Sequence, residues 1–156
     1  MTDKLYFEDL EVPSTETFGA YPVTREAVLD FAEKFDPQPF HLDDEAAKHS
    51  IFGRIAASGW HTSAITMRIM VDNRIGKYAS VGGAGVDKLR WVKPVYPGDT
   101  LSVRATLFAK RRSKSRPEIG FIHSRHETLN QHGEVVMTYE STGIVAVRDP
   151  SAPFED

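Results

Sequence analysis

The sequence contains no cysteine among its 156 residues. That removes disulfides, thiolate metal ligands, iron–sulfur clusters and a cysteine nucleophile from consideration. It also lacks any window approaching the ~20 apolar residues that a membrane-spanning helix needs. The most apolar stretch, around Ile65–Val71, is interrupted by Arg68. The opening Met-Thr-Asp-Lys-Leu-Tyr-Phe-Glu-Asp lacks the basic and then apolar pattern of a secretory signal. There is no repeat period and no low-complexity segment. Nor is there an excess of one charge: 19 Lys and Arg stand against 22 Asp and Glu, a net of −3. A mildly acidic chain has little attraction for a phosphate backbone, which argues against a general nucleic-acid binder. What remains is a cytoplasmic enzyme or binding domain. The length predicts one domain over 1–156, with a loose, Pro-rich and acidic tail at 149–156.

The first half reads as helical. Residues 1–23 look irregular, with one short strand near Glu16–Ala20. Thr24 can cap a helix carrying Val28, Phe31, Ala32 and Phe35 on one apolar face. Pro37 ends that helix by Asp36, so Asp36-Pro-Gln-Pro-Phe-His41 is expected to be stiff and non-helical. Asp43 can cap a second short helix, Asp44–His49. The strongest helix runs from Trp60 to about Ile75 and is apolar enough to predict burial. The second half changes to Val, Ile, Thr, Phe and Tyr, giving strands over Ser80–Val95, Thr100–Arg112, Glu118–Leu129 and Glu134–Val147. Short connections between them imply an antiparallel sheet. The fold class is therefore α+β, a sheet wrapped on a helix.

Two places could carry chemistry. Asp36 and His41 flank a turn stiffened by Pro37 and Pro39, so a carboxylate and an imidazole could hold one water between them for acid–base work. The same residues also suit a plain turn, with Asp36 closing it and His41 at the surface. Ser58-Gly59-Trp60 opens the long helix, where free backbone N–H groups favour a developing negative charge and glycine allows close approach. Ser and Gly also start helices for capping alone. Together the two would suit addition of water to a double bond conjugated with a thioester carbonyl, because N–H donors stabilise the charge pushed onto the carbonyl oxygen.

Asp36-Pro-Gln-Pro-Phe-His41-Leu-Asp43, Phe52-Gly53 and Ile55-Ala-Ala-Ser-Gly59 resemble the signature of the MaoC-like dehydratases, which include (R)-specific enoyl-CoA hydratases. Leu89-Arg-Trp91, Lys93-Pro-Val and Pro97-Gly-Asp-Thr-Leu101 resemble the strand that follows the family's central helix. The resemblance covers about residues 20–147. It implies the hotdog fold, a long central helix wrapped by an antiparallel β-sheet. It also implies a homodimer or a dimer of dimers, and an acyl-CoA substrate in fatty acid metabolism. Coenzyme A would be part of the substrate, with no metal or redox cofactor. Asp36 would be the base that activates water, His41 would position that water and help protonate the α-carbon, and the Gly59 N–H would bind the thioester oxygen. Phe40, Ser58 and Trp60 would line the substrate site, and so would His61 unless it is a packed or capping histidine. Two departures stand out: Gln38 replaces the family's Asn, and Lys34-Phe35 replaces the usual small pair before the Asp. A hotdog thioesterase and a non-catalytic acyl-thioester-binding dimer are the alternatives. The thioesterase would need an acid on the central helix, and Asp72 lies near that helix's far end.

Other signals are weaker. His123 and His126 should point to opposite faces of a strand and so cannot chelate one metal. Gly82-Gly-Ala-Gly85 follows a helix and opens a strand, the reverse of a nucleotide loop. Ser58 and Ser63 lack a hydrolase nucleophile's setting. The basic run Lys110–Arg116 is either a solvated hairpin tip or a grip on coenzyme A phosphates, with Arg111 and Arg112 as the contacts.

Overall fold

The computed structural model describes residues 3–154. Met1 and Thr2 of the expected start, and residues 155 and 156 of the expected tail, lie outside the described residues. A long strand, β1 (Ser14–Pro22), precedes three helices, α1 (Arg25–Phe35), α2 (Pro39–Leu42) and α3 (Asp44–Lys48). The central helix α4 (Gly59–Asn73) follows, and then β2 (Ser80–Trp91), β3 (Thr100–Arg112), β4 (Ile119–Leu129) and β5 (Val135–Ala146). The four strand pairings are antiparallel, in the order β1-β3-β4-β5-β2. The sheet curls around α4, which is the hotdog arrangement that the family signature implied.

The strands alternate as their sequence predicts. In β3, Leu101, Val103, Ala105 and Leu107 point inward and are buried, while Ser102, Arg104 and Thr106 face outward. Burying a Leu or Val side chain contributes roughly 1.5–3 kcal/mol. Leu101, Val103 and Ala105 of this row seat α4 through Ile65, Ile69 and Met70, which share their core cluster. β1 crosses the helix at Gly19, whose φ of +91° and missing side chain let Ile69 lie against the strand.

Several boundaries move for local reasons. β1 is longer than expected because it pairs with β3 from Ser14 to Pro22. β2 ends at Trp91 rather than Val95: the N–H groups of Val92 and Lys93 both turn onto the Val136 carbonyl, and Pro94 has no N–H to give. α2 forms one helical turn inside the segment expected to be non-helical. Pro37 does stop α1, but Pro39 sits at the first helical position, where a missing N–H costs nothing. Phe35, expected on the buried face of α1, is exposed. α4 is buried on one face only, since Trp60, Met67 and Val71 are exposed. No helix among the described residues is long and apolar enough to cross a membrane.

Candidate active site

Asp36 is the C-terminal cap of α1. Its backbone leaves the helical region (φ −150°, ψ 65°) because Pro37 follows. The carboxylate thereby turns toward the start of α4. Ser58 Oγ donates to Oδ2 at 2.7 Å, and Gln38 Nε2 donates to Oδ1 at 2.6 Å. His41, on α2, brings Nε2 to 3.4 Å from Oδ2. Its other nitrogen, Nδ1, lies 2.6 Å from the Ala56 carbonyl. A carbonyl can only accept, so Nδ1 carries a proton and Nε2 is the nitrogen left to face Asp36. Phe40 meets the His41 ring edge-on at 4.6 Å and, with Phe52, holds its plane. His41 is buried, and the Asp36 carboxylate is 16% exposed.

The carboxylate's acidity reflects opposing forces. Burial, the largest, raises it. The hydrogen bonds from Ser58 and Gln38, and the charge His41 can carry, together outweigh burial and hold Asp36 below the usual carboxylate range. It is therefore ionised at neutral pH. We expect Ser58→Ala to move the acid limb of any activity to higher pH, because Oδ2 loses a donor to its charged form. The same change should cost about 1.5–3 kcal/mol of stability, since a largely buried carboxylate is left with one donor fewer. A pH–rate profile and urea unfolding would check both.

Gly59 is the first residue of α4. The first-turn hydrogen bonds go from the His61 and Thr62 N–H groups to the Ser58 carbonyl. The Gly59 N–H precedes them and has no partner within the helix. Trp91 lies flat against its α-carbon, so closely that an added Cβ would overlap the indole. Trp60 meets Trp91 edge-on at 5.1 Å. Asp36, His41, Gly59, Phe40 and Trp60 thus line one cleft of about 500 Å³, closed on one side by Trp91.

The other expected site residues lie elsewhere. Ser58 is fully buried and bonds Asp36; it does not line the cleft but supports the carboxylate from behind. Its hydroxyl makes no capping bond. His61 faces away, stacked on Phe31 of α1 at 4.7 Å, and burial lowers its basicity. It is a packing residue, because one helical step rotates it ~100° from Trp60. Arg111 and Arg112 sit at the opposite end of the sheet. Arg112 pairs with Gly120, and Gly120 with Val145, which is eight residues along β5 from the Met137 that faces the start of α4. That is ~26 Å within one chain. Arg112 is also engaged: it donates to the carbonyls of Pro117, Pro150 and Ala152 and lies over Phe154. Residues 150–154 of the expected loose tail are thereby held against the body. Arg111 lies over Phe121. Asp72, the acid that a thioesterase would need, pairs with Arg68 on the exposed side of α4, thirteen residues from Gly59 and ~20 Å along the axis.

Trp91 and the Ala56 carbonyl escaped the sequence reading as site components. Trp91 stood in a quoted motif, and Ala56 in a run of small residues beside Gly59. Neither signal says which atom a side chain 32 or 15 positions away will meet.

Known proteins resemble this chain over much of its length. Residues 13–125 match the family model described as MaoC like domain. The chain is 31% identical over 109 residues to the uncharacterized protein YdeM of Bacillus subtilis, covering 70% of this chain and 76% of that one. It is 38% identical over 74 residues to the mesaconyl-CoA hydratase of Cereibacter sphaeroides, spanning 47% of this chain but only 21% of that enzyme. The crystal structure of a MaoC-like dehydratase from Rhodospirillum rubrum superposes with a TM-score of 0.84 at 44% identity, covering 93% of this chain and 99% of that one. The hotdog fold, the Asp–Pro–x–Pro–x–His turn against the glycine that opens the central helix, and the extent of these matches place the chain in the MaoC-like dehydratase family.

Proposed function

We propose that this chain is an acyl-CoA hydratase/dehydratase that interconverts a 2-enoyl thioester and its 3-hydroxyacyl thioester. The observation that carries the reading is one cleft in which Asp36 and His41, 3.4 Å apart, share a wall with Gly59, whose N–H has no partner within α4. A water seated between Asp36 Oδ2 and His41 Nε2 gives one proton to the pair as its oxygen bonds to the β-carbon. The electron pair of the double bond moves toward the thioester carbonyl. The Gly59 N–H, at the positive end of α4, meets that charge. The pair then returns one proton to the α-carbon, so the residues end as they began. The reverse path removes water.

A second copy of the chain completes the functional unit in this reading. β2 is an edge strand exposed along nearly its whole length, and Val81, Val86 and Trp91 are exposed on it beside Met67 and Val71 of α4. Such an open edge is usually paired or covered. A homodimer, or a dimer of dimers, would cover it.

The test is spectroscopic. Adding the protein to a panel of 2-enoyl-CoA chain lengths should remove the conjugated thioester's ultraviolet absorbance, with 3-hydroxyacyl-CoA as product and no free thiol. Release of thiol would instead make the protein a thioesterase. Binding of every chain length without turnover would make it an acyl-thioester carrier.

A further inference from the structure

A second, larger cavity of about 560 Å³ lies between α4 and the inner face of β2, β4 and β5. It meets the catalytic cleft at Trp60, which lines both. Its wall is apolar through Met67 and Met70 of α4 and Ile75 just past that helix's end. Its far end is not. There Arg74, the residue that caps α4, is 4% exposed. Its guanidinium donates one long hydrogen bond, 3.4 Å to the Ala105 carbonyl, and lies 5.8 Å from the centre of the Tyr78 ring; its nearest acid is Glu16 at 3.8 Å, whose own side chain is 62% exposed. Among the described residues no buried carboxylate pairs with this cation, so its burial is costly.

His126 stands beside it, since Ala105 and His126 are register partners on β3 and β4. It is 3% exposed, stacked on Tyr139 at 4.5 Å, and bonded through Nε2 to Ser141 Oγ at 2.8 Å. Its Nδ1 has no partner at all. The Ser141 hydroxyl can donate to Nε2 or accept from it, so either ring nitrogen can carry the proton, and a carboxylate at Nδ1 would select the tautomer with its N–H there. Burial first, and the charge of Arg74 second, push its pKa down to about 4, so the ring is neutral and adds no second positive charge. The catalytic scheme uses none of these groups.

We propose that Arg74 and His126 form a binding site for a carboxylate at the far end of the acyl chain. On the hydratase reading, from which this inference extends, the preferred substrate is then an ω-carboxy-2-enoyl thioester and not a plain alkyl one. The cation supplies the charge, His126 Nδ1–H supplies a directed donor, and the apolar wall takes the methylenes between. Fifteen residues separate Gly59 from Arg74, ~22 Å along the helix, so the chain is long.

The experiment compares 2-enoyl-CoA substrates with their ω-carboxy counterparts of matched length on the full-length protein. We expect kcat/KM to favour the ω-carboxy substrate about tenfold or more at the best length, the value of one hydrogen-bonded charge. Arg74→Met should bring the ratio close to one. Should that variant fail to fold, Ser141→Asp places the protein's own carboxylate beside His126 and should abolish the preference in its place. A ratio near one in the unmodified protein, or one that survives both substitutions, overturns the inference while leaving hydration intact. If neither substrate is hydrated, the hydratase reading fails. Calorimetric binding of saturated ω-carboxyacyl-CoA against plain acyl-CoA then decides the site, with the same tenfold criterion.

Discussion

Asp36→Asn should lower kcat for enoyl-thioester hydration by about 10²–10⁴, the range supplied by a positioned proton acceptor. The amide keeps the size of the carboxylate but cannot take a proton from water. His41→Ala should fall in the same range, because Nε2 is the only nitrogen of that ring directed at Asp36. The two act on one water. The double variant should therefore be little worse than the poorer single one, in place of the product of both losses. Losses that multiply in the double variant would mean the residues act in separate steps. The pH dependence has a definite sign. The folded-state pKa of Asp36 is depressed, so its ionised form stabilises the protein at pH values above the ordinary carboxylate value. That contribution is lost as pH falls through the depressed value. Asp36→Asn should flatten this acid limb of stability as well as remove activity, and urea unfolding across acid pH would read it.

Gly59→Ala should reduce kcat/KM by up to about 10²-fold, for a different reason. The new Cβ would occupy space already filled by the Trp91 indole. Either the start of α4 shifts or Trp91 leaves its place. Displacing the reacting groups by about 1 Å costs this much in an oriented site. The partner substitution separates geometry from chemistry: Trp91→Ala in the Gly59→Ala background gives the Cβ room and should restore much of the loss. No rescue would mean that Gly59 acts otherwise than through the space above its α-carbon.

The contrast between these two positions shows what could be read in advance. Asp36 and His41 are five residues apart across two prolines, so their proximity follows from local backbone restriction. The caps at Thr24 and Asp43 and the alternation in β3 are equally local, and each is present: Thr24 Oγ1 accepts from the Ala27 N–H, and Asp43 Oδ2 from the Ala46 N–H. Periodicity shows that α4 is apolar. It does not show that Trp60, Met67 and Val71 stay uncovered, because that depends on how far the sheet wraps.

The sequence by itself determined the fold class, the placement of the long helix before four strands, and the acid–imidazole pair on its proline-stiffened turn. Hydrophobic period and proline stereochemistry act over a few residues and need no distant partner. Tertiary structure alone decided the rest. Ser58 reaches Asp36 across 22 positions and leaves its cap unmade. The Ala56 carbonyl selects the His41 nitrogen that faces the carboxylate. Rotation about the helix axis sends His61 into the α1 interface and Trp60 into the cleft. The tail's carbonyls occupy Arg112. Curvature of the sheet brings His126 and Arg74 to the end of one cavity. Each of these depends on which groups meet when the sheet closes on the helix, and packing at that range leaves no pattern in neighbouring residues.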